Sequence, residues 1–172
     1  DIKEALDTIK GEMVTQFDEG FKKINENFGK IFKELFGGGS AALELDYSNA
    51  TDKLDAGVEI KIQPPGKKFQ KLSLYSGGEQ ALTAIAILFS ILRLNPMAFC
   101  VLDEIEAALD EANVDRFATY LKKFSKDTQF IVITHRKPTM EQADSLFGVT
   151  MEEKGVSKLV SVKLSDVKTE EA

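Results

Sequence analysis

The sequence has no tryptophan, one histidine and a single cysteine, and its basic residues are outnumbered by acidic ones. Cys100 cannot form a disulfide within the chain, so a reducing compartment is natural for it, and its apolar surroundings predict a buried position. The net charge of −6 argues against wholesale wrapping of nucleic acid. No uninterrupted apolar run reaches the roughly 18 residues of a membrane span.

The nucleotide-binding motif GxxxxGK[ST] is also missing. In that motif a glycine-rich loop and its lysine hold the phosphates of a nucleotide. The pairs Gly29-Lys30 and Gly66-Lys67 lack both the earlier glycine and the following Ser or Thr. We therefore expect that this chain alone does not bind ATP tightly. The first residue is aspartate rather than methionine, which predicts a fragment of a longer protein.

A helical stripe occupies the first 36 residues. Apolar side chains recur there at steps of three or four, which predicts a nearly straight helix about 50 Å long. Three glycines inside the pattern weaken the prediction of an unbroken helix. The stripe comprises Ile2, Leu6, Ile9, Met13, Phe17, Phe21, Ile24, Phe28, Ile31 and Leu35. GGGS at 37–40 ends it, and we interpret that segment as a natural boundary rather than an engineered linker.

After the glycines, apolar residues recur at every second position. AALELDY and GVEIKIQ alternate apolar and polar residues, which predicts two antiparallel strands. A helix over 76–94, the apolar strand AFCVLDE, a helix over 111–125 and the apolar strand TQFIVITH follow. Apolar strands that alternate with helices predict a largely parallel sheet flanked by helices on both faces. A closing hairpin is predicted around Lys154-Gly155.

The helix predicted from residue 76 begins with SGGE, although glycine is about 1 kcal/mol worse than alanine inside a helix. A capping box, in which Ser76 caps the helix and Glu79 reaches back, explains two of these residues. It leaves Gly77 and Gly78 unexplained. Bare N–H groups at a helix N-terminus attract anions, so a phosphate could approach the N-terminus of this helix, which we call the mouth of the helix. Both interpretations stay open on the residues alone.

Two further polar groups follow the apolar strands. Asp103 and Glu104 come directly after the first strand, and His135 follows the second. Open α/β sheets bind ligands at the carboxyl ends of their strands, so we expect the three side chains to share one edge. Carboxylates there could hold Mg²⁺ or orient an attacking water, and a neutral imidazole could contact a phosphate. The alternatives to a functional site are an ordinary acidic strand end and a histidine with a purely structural role.

The segments SGGEQ, FCVLDEIEAALDEANV and FIVITHRK together closely resemble the carboxy-terminal lobe of the ATPase head of bacterial SMC chromosome proteins, within the ABC-type P-loop ATPases. The resemblance covers roughly residues 30–165. It implies an α/β lobe, with a helix at the end of a coiled-coil arm over 1–36, the head lobe over 37–165 and a flexible tail over 166–172. The family carries its phosphate loop in a distant amino-terminal lobe, which accounts for the missing motif.

The resemblance implies a role for each motif in binding and hydrolysing ATP with Mg²⁺. Glu104 is the expected general base, His135 the histidine near the γ-phosphate, and Asp103 the Mg²⁺ ligand. A signature loop contacts the ATP of an opposite head, and Asp110 belongs to a loop that crosses the interface between heads. The residues expected to bind the cofactor are Ser76, Gly77, Gly78, Glu79, Gln80 and Asp110. The sequence departs from the family at Tyr75, where leucine is usual.

The implied partners are the amino-terminal lobe, a second head, the winged-helix domain of a kleisin, and DNA through the full complex. The final hairpin is the candidate surface for the kleisin. The resemblance implies chromosome condensation and segregation in the bacterial cytoplasm, at the nucleoid, with no membrane partner. Three alternatives remain: a head lobe of a related DNA-repair ATPase with a coiled coil, the nucleotide-binding subunit of a transporter, and a non-catalytic adaptor.

Overall fold

The computed structural model describes residues 2–163 of the chain, so the tail expected at 166–172 and the last residues of the expected lobe lie outside it. Four α-helices and seven strands lie within the described residues, together with two short 3-10 helices at Lys53–Asp55 and Leu72–Leu74. In chain order they are α1 (Ile2–Phe36), β1 (Ser40–Asp46), β2 (Gly57–Gln63), β3 (Gln70–Lys71), α2 (Gly77–Leu94), β4 (Phe99–Asp103), α3 (Glu111–Phe124), β5 (Gln129–Ile133), α4 (Lys137–Glu141), β6 (Ser145–Glu153) and β7 (Val156–Lys163). The short helix α4 was not predicted.

Helix α1 runs unbroken for 35 residues, or about 52 Å. The last third packs into the core, and its buried residues are Phe28, Ile31, Phe32, Leu35 and Phe36. The apolar stripe of the first turns faces solvent, since Ile9 and Met13 are 53% and 50% exposed. Asn25 docks the helix on β1, because its amide donates to the Leu43 carbonyl at 3.1 Å and accepts from the Leu43 N–H at 2.8 Å.

The glycine run after α1 is a packed junction. Gly39 has a φ of +82°, and a Cβ there would lie 2.2 Å from the Gln63 carbonyl oxygen. Only glycine fits such a close approach with a positive φ. This geometry favours the natural boundary over the engineered linker.

Strands β1 and β2 pair antiparallel, as predicted, with Leu43 opposite Ile60. The short strand β3 adds to β2 in the same antiparallel sense. Leu43 and Ile62 are buried, so this sheet packs its apolar face into the core that holds the end of α1.

Strands β4 and β5 are parallel, as predicted, with Asp103 opposite Ile133. Their inner face packs on an aromatic cluster, in which the Phe89 ring of α2 lies 6.0 Å from the Phe130 ring and 5.2 Å from the Tyr120 ring. Their outer face is open, since Val101 and Ile131 are 53% and 50% exposed. The prediction of helices on both faces is therefore wrong for the described residues.

The prediction of a largely parallel sheet is also wrong for residues 2–163. The strands form three separate sheets, of which only the pair β4–β5 is parallel. The closing hairpin β6–β7 is present as predicted, with its turn at Lys154 and Gly155. Many of its apolar side chains are exposed, among them Phe147, Val149, Leu159 and Val160. The described chain therefore leaves large apolar strand surfaces uncovered.

Helix α2 is the central core helix. Its 18 residues have a mean hydropathy of 1.3, which by length and composition would allow a membrane span. Its hydroxyl side chains are satisfied within the helix, because Thr83 donates to the Glu79 carbonyl and Ser90 to the Ala86 carbonyl. Leu82, Ala86 and Phe89 are fully buried in the core. The high hydropathy of α2 therefore reflects its buried position in the core.

Cys100 of β4 is only partly buried, contrary to expectation.

Candidate functional site

The carboxyl ends of β4 and β5 meet at one edge of the parallel pair. Asp103 is the last residue of β4 and lies opposite Ile133, the last residue of β5. The Glu104 N–H donates to the Ile133 carbonyl at 3.0 Å, which continues the ladder for one residue. The edge thus presents Asp103 and Glu104 on one strand and His135 just beyond the other.

Glu104 and His135 are in contact. Oε1 of Glu104 lies 3.3 Å from Nδ1 of His135, and both side chains are more than half exposed. Glu104 has a φ of +46° and is the one non-glycine residue with a positive φ within 2–163. A left-handed conformation costs about 1–2 kcal/mol for such a residue. The turn holds it in place, since the Ala107 N–H donates to the Glu104 carbonyl at 3.0 Å.

Asp103 is exposed at the same edge. Within the described residues, no group of three or more His, Cys, Asp or Glu side chains could hold a metal ion by itself. Mg²⁺ is usually bound by one or two carboxylates together with waters and substrate phosphates. The exposed Asp103 carboxylate fits that requirement, because it leaves the other coordination positions to water and phosphate oxygens.

A buried carboxylate lies beneath the edge. Glu106 is 1% exposed, and its Oε1 accepts hydrogen bonds from the Thr134 hydroxyl at 2.5 Å and the Thr139 hydroxyl at 3.1 Å. Its Oε2 has no hydrogen-bond partner. Glu106 therefore connects the turn after β4 with the residue preceding His135 and with α4. The sequence offered only a third acidic residue in DEIE, with no sign that it was buried.

The turn after β4 leads into α3. Asp110 caps that helix, because its carboxylate accepts from the Asn113 N–H and from the Asn113 side-chain amide, each at 2.9 Å. The Arg136 guanidinium donates to the Leu109 carbonyl at 3.1 Å, so the segment after β5 holds this turn as well. Asp110 is exposed and already has a structural role in the chain.

The two glycines of SGGE differ in their surroundings. A Cβ on Gly77 would meet nothing within 4 Å, so this residue leaves open space at the mouth of α2. A Cβ on Gly78 would lie 3.2 Å from the Ala108 carbonyl oxygen. Gly78 is therefore explained by packing within the chain, whereas Gly77 matches the expectation of an open helix mouth.

The remaining side chains of this loop bond to one another. Oε2 of Glu79 accepts from the Ser76 N–H at 3.2 Å and from the Ser76 hydroxyl at 2.8 Å. Burial acts to raise the pKa of Glu79, but hydrogen bonds from Lys67 and Ser76 outweigh it and hold that pKa below its ordinary value. The Gln80 amide donates to the Tyr75 carbonyl at 2.8 Å. Glu79 and Gln80 thus shape the loop.

The site residues form two groups. Asp103, Glu104 and His135 share the strand edge, and Ser76, Gly77, Gly78, Glu79 and Gln80 form the loop that opens α2. Across the described residues, no hydrogen bond or ion pair joins the two groups. Gly78 of the loop lies against Ala108, in the turn that follows Glu104.

Comparison with known proteins shows which family the chain resembles. The model of the family described as the RecF/RecN/SMC N terminal domain matches residues 4–158. The chain is 61% identical over 165 residues to the chromosome partition protein Smc of Bacillus subtilis (strain 168), covering 96% of this chain. It spans 14% of the length of that relative.

Solved structures agree with this result. The Smc head domain derived from Pyrococcus furiosus, with an extended coiled coil and bound to the C-terminal domain of ScpA, has a TM-score of 0.84 at 43% identity, over 98% of this chain and 42% of that chain. A chain solved in work on ATP-driven dimerization and DNA-stimulated activation of SMC ATPases has a TM-score of 0.80 at 42% identity, over 91% of this chain and 93% of that chain.

The shared fold, at this level of identity, defines the class: it is the fold of an SMC ATPase head. The chain belongs to the RecF/RecN/SMC family.

Proposed function

We propose that this chain is the carboxy-terminal lobe of an SMC head, which binds and hydrolyses ATP between two engaged heads once an amino-terminal lobe is present. The observation that carries the proposal is the contact at 3.3 Å between Glu104 and His135, formed by a glutamate whose φ is +46°. Unfavourable backbone conformations persist where the surrounding structure imposes them, and they cluster at functional sites. An exposed general base beside an imidazole suits the hydrolysis of a bound nucleotide.

The matching family model is described as an N terminal domain, so the amino-terminal lobe is the alternative assignment. The absence of GxxxxGK[ST] from all 172 residues argues against it, because the phosphates of ATP need that loop. The open outer face of β4–β5 and the exposed hairpin also suit a lobe that packs on another. By the same reasoning, the chain alone is inactive as an ATPase.

Each site residue has a proposed role. Glu104 takes the proton of the attacking water, and His135 hydrogen-bonds the γ-phosphate or that water. Asp103 would hold Mg²⁺ through a bound water, and the ion would supply positive charge that offsets the charge of the phosphates. Ser76 and Gly77 receive the γ-phosphate bound by the opposite head at the open mouth of α2.

The remaining residues support the contact between heads. Gly78 sets the packing of the loop on Ala108, while Glu79 and Gln80 maintain the shape of the loop. Asp110 stands where the turn after β4 would meet the second head.

The proposed partners follow from the relatives. A similar Smc head is bound to the C-terminal domain of ScpA, so we expect a kleisin winged-helix domain to bind this lobe, with the hairpin β6–β7 as the candidate surface. The helix over 1–36 is our candidate for the end of a coiled-coil arm. Chromosome condensation and segregation in the bacterial cytoplasm, with DNA contacted through the full complex, complete the proposal.

The test uses a head assembled from this chain and its amino-terminal lobe. Glu104→Gln should lower the ATP hydrolysis rate by at least about 100-fold, the lower end of what a general base contributes. The same variant should form a dimer in Mg-ATP, measured by light scattering, because bound ATP is not consumed. Adding Ser76→Arg should abolish that dimer by filling the mouth of α2.

Glu111→Gln is the matched control, since it removes an exposed carboxylate from the first turn of α3. It should leave both the hydrolysis rate and the dimer unchanged. A head that stays monomeric under every condition, or that hydrolyses ATP normally with Glu104→Gln, would contradict the proposal. The capping box would then remain the better explanation of SGGE.

A further inference from the structure

The loop at 64–68 lies against the start of α2 and is fixed there. The Tyr75 hydroxyl, on a side chain that is almost fully buried, donates to the Ile62 carbonyl at 3.1 Å and contacts the Lys68 carbonyl. The Lys67 N–H donates to the Pro64 carbonyl at 3.1 Å, which closes the turn. A leucine at position 75 could not form the hydroxyl contacts. The backbone of Lys67 is therefore held in place.

The side chain of Lys67 reaches the mouth of α2. Its Nζ donates to Oε1 of Glu79 at 2.8 Å and lies 5.6 Å from the centroid of the Tyr75 ring. The other oxygen of Glu79 accepts both donors of Ser76. Lys67, Glu79 and Ser76 thus form a continuous chain of hydrogen bonds at the loop proposed to receive a phosphate.

This chain of contacts creates a conflict at the proposed site. A phosphate that accepts the Ser76 hydroxyl hydrogen must compete with Glu79 for the same donor. The Glu79 carboxylate also repels an approaching phosphate, because both groups are negative. The Lys67 ammonium group reduces the repulsion, since it neutralises Glu79 from the oxygen that Ser76 does not use. The ion pair between Lys67 and Glu79 is not explained by fold stability, because exposed ion pairs contribute little to folding.

We propose that Lys67 is a positioning residue for the nucleotide of the opposite head: it neutralises Glu79 and so lowers the repulsion that a phosphate meets as it approaches Ser76. The inference rests on the proposed function and deepens it. Lys67 acts through Glu79, and contact between Lys67 and the phosphate is not required.

The test measures the ATP concentration that gives half-maximal head dimerisation. The protein is the head assembled from this chain and its amino-terminal lobe, with Glu104→Gln present throughout. Lys67→Gln should raise this concentration at least about tenfold, because the Glu79 carboxylate, no longer neutralised, then repels the phosphate. Lys68→Gln is the matched control, because it removes the same charge from the neighbouring exposed position. It should change the concentration by less than about twofold.

Glu79→Gln provides the decisive background, because it removes the carboxylate charge and keeps an oxygen acceptor for Ser76. If Lys67 acts by neutralising Glu79, Lys67→Gln should have almost no further effect in that background. An equal loss in both backgrounds would mean that Lys67 binds the phosphate directly and would overturn the inference. An effect no larger than that of Lys68→Gln would also overturn it. A parent head that fails to dimerise in ATP would instead reject the proposed function.

Discussion

Glu106 links the candidate site to the buried core. Its carboxylate accepts from two hydroxyls in the segment that carries His135. Glu106→Ala would leave the hydroxyl hydrogens of the partly buried Thr134 and the buried Thr139 without their acceptor, which costs about 1–3 kcal/mol. We therefore expect the free energy of unfolding of the chain, measured by urea denaturation, to fall by that amount. Glu106→Gln should lose less, because an amide oxygen can still accept.

Glu141 offers the control for that measurement. Its carboxylate is exposed and its ion pair with Lys137 lies on the surface of α4, so Glu141→Ala should change the free energy of unfolding by less than about 1 kcal/mol. If Glu106→Ala were no more destabilising than Glu141→Ala, the buried contacts of Glu106 would not stabilise the site.

The two groups of side chains at the site differ in how far the sequence predicts them. The meeting of Glu104 and His135 is predictable, because the carboxyl ends of parallel strands share one edge. The contact of Lys67 with Glu79 spans 12 residues and that of Thr134 with Glu106 spans 28. Such contacts depend on how loops and helices pack, and no local pattern reports them. The packing of Gly78 on Ala108 was missed for the same reason.

Helices α1 and α3 meet near Tyr120, and this contact gives the fold a dependence on alkaline pH. Burial, and then the Glu34 carboxylate, raise the pKa of Tyr120 from 10.0 to about 12. Between those values the unfolded chain loses the phenol proton while the folded chain keeps it. The free energy of unfolding should therefore fall as the pH rises from 10, by at most about 1.4 kcal/mol per pH unit.

Tyr120→Phe has no proton to lose, so this part of the pH dependence should disappear from urea denaturation curves compared at pH 9 and pH 11. Tyr47→Phe is the matched control, because the Tyr47 side chain is 46% exposed, and it should keep the full decline. Equal declines in the wild-type chain and Tyr120→Phe would contradict the prediction.

The whole molecule exposes more apolar strand surface than a self-contained domain. Periodicity predicted most helices and strands, because the spacing of apolar residues reflects which face is buried. It also predicted helices on both faces of the parallel pair, and this was wrong within residues 2–163. An apolar strand has the same pattern whether its cover comes from its own chain or from another polypeptide. Under the proposed function, the open face of β4–β5 is therefore the predicted place where the amino-terminal lobe would pack.

Ile131 tests this arrangement on the scale of the assembled head. Ile131→Thr keeps a β-branched side chain in the strand but removes apolar surface that the amino-terminal lobe would bury. The loss of about 1.5 kcal/mol or more should weaken binding between the lobes at least about tenfold, measured by calorimetry of the separately prepared lobes. Ile9→Thr is the matched control, because Ile9 is 53% exposed and Ile131 is 50% exposed, yet Ile9 lies on the stripe of α1 assigned to the arm. Equal affinity for the two variants would place the amino-terminal lobe elsewhere, because only burial against the outer face of β4–β5 distinguishes these isoleucines.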